Sequence, residues 1–270
     1  GGHSNSNSNS NSNSNSNSST AAAALSIVLI GADATAAAYT AGGGSGNVQN
    51  SPQMVSAQTA LARAGRDRNA VISYADGADL DEAKRAAAAA DVAIVFGSAH
   101  SGEGHDRTDL LFQKPGPLGA WPSTEDLIEA VASVRPHSTL VVAIAPGAIL
   151  TDWRDKVPAI LCVFLPGEQF GNALADVVFG AVAPQGKLPL TFPNVDNEQG
   201  MTVQQWPGVP STEFPGSKHV VYSEKQMNGY RWYDKHGVVP AFAFGHGLSY
   251  GGTATYYGLK VEGRRVSFHV

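Results

Sequence analysis

What this sequence lacks narrows it first. It holds one cysteine, Cys162, in 270 residues. That excludes an intrachain disulfide framework and any multi-cysteine zinc site. Charged residues make up only 15%, against about a quarter in an ordinary soluble domain. The balance is acidic, with 18 Lys and Arg against 23 Asp and Glu and a net charge of -5. A nucleic-acid binder would normally present a basic stripe, so no nucleic-acid partner is expected. No apolar run approaches the roughly 18 residues of a membrane span. The first residues, Gly1-Gly2-His3, show no Met, basic segment or apolar core, so no signal peptide is legible there. The G-x-S-x-G nucleophile elbow is missing, and so is the Lys-Ser/Thr pair of a P-loop.

What is present is a globular chain preceded by a polar repeat. Hydrophobic residues make up 43%, ample for a core in one large domain or two small ones. Ser4 to Asn17 is a strict Ser-Asn alternation. Both faces of such a repeat are polar, so nothing drives its burial, and residues 1–20 are expected to be a disordered linker or tail. Asn17-Ser18-Ser19 is formally a glycosylation sequon, relevant only if the chain is secreted.

From Leu25 the pattern changes. Short, continuous apolar runs occur at Leu25–Ile30, Val71–Tyr74, Val92–Phe96, Leu140–Ile144 and Ala159–Leu165. They read as strands buried on both faces, as in a parallel sheet. Helix-like stretches lie between them, at Met54–Ala64, Leu80–Ala90, Thr124–Val134 and about Gln169–Phe179. Ser123 and Thr124 ahead of Glu125-Asp126 form a capping signal with acids in the first turn. Alternating strands and helices predict an α/β fold, a three-layer α/β/α sandwich around a mostly parallel, about six-stranded sheet.

Beyond Leu188 that alternation fails. Residues 193–250 are rich in Pro, Gly and aromatics without helical period. They read as a long ordered loop region wrapping the sheet, because aromatics at this density need something to bury against. Residues 253–270 alternate as short strands and stop in mid-strand, like the opening of a β-sandwich.

Three segments invite chemistry. Gly42-Gly-Gly-Ser-Gly46 follows the first strand and could cradle phosphate. Its register with a helix is wrong for that, and a tight turn against a neighbouring surface is the plainer reading. His100-Ser-Gly-Glu103-Gly-His105-Asp106-Arg107 follows the third strand, where open α/β sheets form their sites. It could be a metal site, a structural loop with Asp106 and Arg107 paired, or a loop presenting Glu103 as a catalytic carboxylate between two permissive glycines. The metal reading is weak, because the spacing fits neither a helical H-E-x-x-H site nor an EF-hand. Spacing alone does not separate the other two. Cys162 lies inside an apolar run and reads as a buried, inert thiol.

Seven segments, in order, resemble the C-terminal α/β sandwich domain of glycoside hydrolase family 3, the β-glucosidase type. They are Gly42–Gly46, Ser101–Arg107, Trp153-Arg-Asp155, Pro166–Asp176, Gly186–Pro193, Gly229-Tyr-Arg-Trp-Tyr-Asp234 and Phe244-Gly-His-Gly-Leu-Ser-Tyr250. The resemblance covers residues 21–250 as one domain, and residues 251–270 resemble the first strands of the fibronectin-like domain that often follows. It implies that Glu103 is the general acid/base of a retaining glycosidase acting on terminal β-D-glucosyl residues, with His105, Asp106 and Arg107 as weak substrate-binding candidates. The nucleophile of such enzymes sits in a Ser-Asp-Trp-like motif on an N-terminal (β/α)₈ barrel. Neither barrel nor motif is in this sequence; Thr151-Asp152-Trp153 is only superficially close. The implied partners are a β-linked glucoside or oligosaccharide and that barrel, in cis or as a separate chain. No cofactor or metal is implied, and family habit implies secretion. The aromatic segments near Tyr230 and Phe244 read as structural, and His246 as a turn residue. The competing expectation is a non-catalytic glycan-binding or assembly module built on the same domain.

Overall fold

The computed structural model describes residues 1–2, 23–35, 38, 40–46, 53–251 and 255–269. The Ser-Asn repeat and its sequon lie outside these residues, as does Ala254, where the last strands were expected to begin.

The five apolar runs form one sheet. Its strands are β1 Leu25–Ile30, β2 Ala70–Ala75, β3 Val92–Ser98, β4 Thr139–Ile144 and β5 Ala159–Cys162. They lie in the order β2-β1-β3-β4-β5, and every pairing is parallel. Successive side chains of a strand point to opposite faces, so each central strand feeds two cores. Val28, Ile30, Val95 and Val141 enter one; Ile27, Leu29, Ile94, Phe96, Val142 and Ile144 enter the other. Helices α1 Ala57–Arg66, α2 Leu80–Ala88, α3 Thr124–Val134 and α4 Phe170–Val178 close both faces. Ala83, Leu127 and Val131 of α2 and α3 pack on the first face, and Leu61, Phe170 and Leu174 of α1 and α4 on the second. The expected three-layer sandwich is therefore present.

Helix starts follow local rules. Ser56, Asp79 and Ser123 each accept a hydrogen bond from the backbone N–H three residues on, at Thr59, Glu82 and Asp126. Each such cap stabilises its helix by about 1 kcal/mol.

The structure corrects the strand expectations in three ways. Among the described residues the sheet has five strands, against about six expected. The next extended segment, residues 188–192, satisfies its backbone elsewhere: Leu188 N–H donates to His246, Gly245 N–H to Leu188, and Phe192 and Phe242 exchange bonds. Strand β2 is not buried on both faces, since as an edge strand it leaves Val71 60% exposed. Strand β5 ends at Cys162 instead of Leu165, and Phe164 just beyond it takes a left-handed φ of 48°.

The C-terminal region is ordered but does not bury its aromatics as expected. Among the described residues of 193–250, Tyr233 is the only buried aromatic, while Trp206, Phe214 and Tyr222 are 58, 64 and 74% exposed. The rings cover one another at the surface instead, Tyr230 on Phe244 at 5.0 Å and Trp232 on His236 at 4.5 Å. The region also holds a helix absent from the sequence expectation, α5 Tyr230–His236, which ends on Gly237 in the left-handed conformation. Seven residues are too few to display a helical period. Two two-residue strands, β6 Val209–Pro210 and β7 Lys218–His219, pair antiparallel nearby. Finally, β8 Tyr257–Glu262 and β9 Arg265–His269 form an antiparallel hairpin whose residues are all exposed.

Candidate active site

Strand order reverses between β1 and β3: the chain steps outward from β1 to β2, then returns to β3 on the other side. In open α/β sheets the crevice at the carboxyl ends of such a strand pair is where ligands bind. The two strands sit close there. A side chain on Gly31, the residue after β1, would lie 2.6 Å from the Phe96 carbonyl oxygen. The loop after β1 carries Gly42–Gly46, and the loop after β3 carries Glu103.

Glu103 stands at the tip of a tight turn. Gly102 and His105 exchange backbone hydrogen bonds of 3.0 Å each way. Gly104 occupies the position needing positive φ, at 75°, which suits glycine at the third place of a type II turn. The glutamate side chain is thereby held clear of its own loop and is exposed. Its Oε2 accepts a 2.7 Å hydrogen bond from the Ser45 backbone N–H. Hydrogen bonding from the Ser45 side chain, then from that N–H, holds the Glu103 carboxyl below the usual glutamate range. In this chain Glu103 is thus an exposed, ionised carboxylate. The elevation that burial at a domain interface would bring is not present here.

Glu103, His105 and Asp106 line one open cavity of about 330 Å³ with Gly43, Gly44, His100, Ser101 and Gly102. The His105 Nδ1 lies 2.8 Å from the Gly104 carbonyl oxygen. Arg107 faces elsewhere. Its Nη1 donates to the Ala148 carbonyl at 2.9 Å, tying the loop to the segment after β4, and burial pushes the guanidinium pKa down while Asp109 opposes that. Asp106 and Arg107 form no ion pair with each other among the described residues. The structure therefore gathers three of the four sequence candidates and turns the fourth into an anchor. No set of three His, Cys, Asp or Glu side chains converges as metal ligands among the described residues.

The Gly42–Gly46 segment forms a tight turn against a neighbouring surface, and that surface is the Glu103 loop. Gly43 and Gly102 make a parallel β-bridge. Sequence reasoning gave the loop no link to Glu103, because 58 residues separate Ser45 from it.

A second cluster at the crevice was also missed. Ser98 Oγ donates to Asp33 Oδ2 at 2.8 Å and lies 2.9 Å from His100 Nε2. Since the hydroxyl proton goes to Asp33, the Nε2 contact needs that nitrogen protonated. Burial pushes the His100 pKa down, and Asp33 opposes it. The available signal was position: Asp33 follows β1 and Ser98 ends β3, both at carboxyl ends.

The loop is further pinned behind the site. Gln113 N–H donates to Ser98 at 2.7 Å. Phe112 N–H donates to Glu125 at 2.9 Å, and burial raises the pKa of that carboxyl. Cys162 does not line this cavity, and burial pushes its thiol up to about 11.

The fold that carries this site is shared with known proteins. Residues 21–250 match the model of the glycosyl hydrolase family 3 C-terminal domain. The chain is 32% identical over 233 residues to a probable beta-glucosidase of Arthroderma benhamiae, covering 85% of this chain and 28% of that protein. It is 40% identical over 183 residues to thermostable beta-glucosidase B of Acetivibrio thermocellus, covering 65% of this chain and 22% of that one. The chain thus spans about a quarter of the length of these relatives. Among solved structures, the Chaetomium thermophilum beta-glucosidase superposes with a TM-score of 0.76 at 28% identity, covering 92% of this chain and 31% of that one. A parallel sheet of this strand order and a family match over residues 21–250 lead to one assignment: the chain belongs to glycosyl hydrolase family 3 and carries that family's C-terminal domain.

Proposed function

We propose that this chain supplies the acid/base half of a retaining β-glucosidase active site, with Glu103 as the general acid/base. The nucleophilic carboxylate would come from a (β/α)₈ barrel in cis or in a separate chain. The observation that carries the proposal is the placement of Glu103. It is an exposed carboxylate at the tip of the Gly102–His105 turn, lining an open cavity at the switch-point crevice.

The chemistry requires two carboxyl groups about 5–5.5 Å apart. One attacks the anomeric carbon. The other protonates the departing glycosidic oxygen, then removes a proton from the water that releases the sugar. An ionised Glu103 is set for the second half of this cycle. The first half needs it protonated, and a second carboxylate brought close would raise its pKa, as would exclusion of water. His105 and Asp106 share the cavity and would meet hydroxyl groups of the substrate. By the same reading, residues 251–270 open a fibronectin-like domain, and the assembled enzyme is secreted. The beta-glucosidase names of the relatives support a terminal β-D-glucosyl residue as substrate.

The test is Glu103→Gln in the barrel-bearing enzyme. Turnover of an unactivated β-glucoside should fall about 10²–10⁴-fold, the usual worth of a general acid/base. An aryl glucoside with a good leaving group should suffer less in its first step, and azide should restore its turnover. Near-normal hydrolysis of the unactivated glucoside would refute the assignment. The isolated 270-residue chain should hydrolyse neither substrate, because it lacks one of the two carboxyl groups.

A further inference from the structure

We infer that the Gly42–Gly46 loop is the positioning element of Glu103: Ser45 holds the carboxylate in place, and can reach it only because residue 44 has no side chain. The inference rests on the reading of Glu103 as the acid/base and adds what fixes that group in space.

The two loops leave neighbouring strands and meet backbone to backbone. At the Gly43–Gly102 bridge there is no room for a side chain on Gly102, where a Cβ would fall 2.9 Å from the Gly43 Cα. The next residue is more tightly constrained. A Cβ on Gly44 would fall 2.2 Å from the Glu103 Cβ and 2.7 Å from its Oε2, and Gly44 has a φ of 70°. Alanine would therefore meet both a collision and a disfavoured backbone conformation. Glycine lets the loop turn under the glutamate and bring the Ser45 N–H to 2.7 Å from Oε2.

This arrangement suits an acid/base better than a plain structural contact. A flexible side chain at an exposed turn tip would otherwise sample several rotamers, and displacement of a reacting group by about 1 Å can cost 10²-fold in rate. The Ser45 donors restrict Glu103 to one of them. They also favour the charged carboxylate, so the loop sets the baseline from which a facing carboxylate would have to raise the proton affinity. His100, His105 and Asp106 are the other titratable groups lining the cavity. None of them is hydrogen-bonded to Glu103 among the described residues.

The test follows Glu103 in the 270-residue chain by carboxyl-carbon NMR, assigned with Glu103→Gln. In the wild-type chain Glu103 should titrate below an ordinary glutamate. Gly44→Ala should move that midpoint up while the other carboxyl groups keep theirs. Ser45→Ala, which retains the backbone N–H, should move it up by less. An unmoved Glu103 midpoint in both folded variants would overturn the inference. Should Gly44→Ala fail to fold, an unmoved midpoint in Ser45→Ala alone would overturn it. In the barrel-bearing enzyme, Gly44→Ala should shift the limb of the kcat/KM pH profile that belongs to Glu103 as well as lower its height. The two readings fail separately. Full activity of Glu103→Gln would remove the acid/base role and leave the NMR result standing, whereas an unmoved midpoint would remove the positioning role whatever Glu103→Gln does.

Discussion

The α/β core and the C-terminal region handle their large apolar side chains in opposite ways. In residues 25–179, Ile94, Phe96, Ile144 and Phe170 are sealed between sheet and helices. In residues 193–269, Trp206, Phe214, Tyr222, Tyr257 and Phe268 stand exposed. Helices cover both faces of the central strands β1, β3 and β4. The C-terminal region meets that core where Ala241 and Phe242 pack against it, and the Tyr250 hydroxyl donates to the Val177 carbonyl at 2.9 Å. Burial is therefore a property of the layered architecture and does not follow from hydrophobicity alone.

The largest effect that tests this contrast is a pair of truncations. Phe96→Ala should destabilise the chain by about 3–5 kcal/mol, the range for a buried aromatic. Trp206→Ala should stay within about 0.5 kcal/mol, as for an exposed site. Urea unfolding of both variants measures the difference, and equal losses would erase the distinction between the regions.

A smaller effect belongs to the polar hinge where the C-terminal region meets the core. Tyr233 donates to Glu198 at 2.6 Å, Asn194 donates to the same carboxylate from its backbone and its side chain, and Arg154 donates to Asn194. Burial acts to raise the Glu198 pKa, but these bonds outweigh it and leave it below the ordinary value. A depressed carboxyl stabilises the fold above its unfolded pKa, about 4.3, and loses that contribution as pH falls through the folded value. Tyr233→Phe should cost about 1 kcal/mol at neutral pH. The wild type and the variant should converge in stability as pH drops below about 4. A pH-independent gap in thermal unfolding would contradict the network.

The smallest effect is chemical. Cys162, with its thiol pushed up to about 11 by burial, should react slowly with iodoacetamide at pH 8 and quickly once the core is unfolded. Fast alkylation of the native chain, followed by mass, would place β5 among the loosely held segments.

The core was legible in the sequence because its signals are local. Apolar runs marked β1, β3 and β4 almost to the residue, and Ser123 marked the start of α3. Edge status was not legible. Val71 looks like any other strand valine, and only the strand order leaves one of its sides without a neighbour. Helix α5 was hidden because about two turns carry too little pattern. The site divided along the same line. Glu103 between two glycines was visible as a candidate, whereas its contact with Ser45, the anchoring of Arg107 on Ala148 and the Asp33–Ser98–His100 cluster join distant parts of the chain.

The sequence by itself determined the strands and helices of the core, the cap of α3 at Ser123, and that a carboxylate sits on a glycine-flanked loop. Each of these depends on neighbours within a few residues. Only the tertiary structure decided which strands are edges, which aromatics are covered, and which glycine loop meets the glutamate. Those outcomes depend on strand order, which places the loops after β1 and β3 side by side although dozens of residues separate them. The Gly42–Gly46 turn packs against a neighbouring surface, as its glycines suggest, and strand order makes that surface the Glu103 loop.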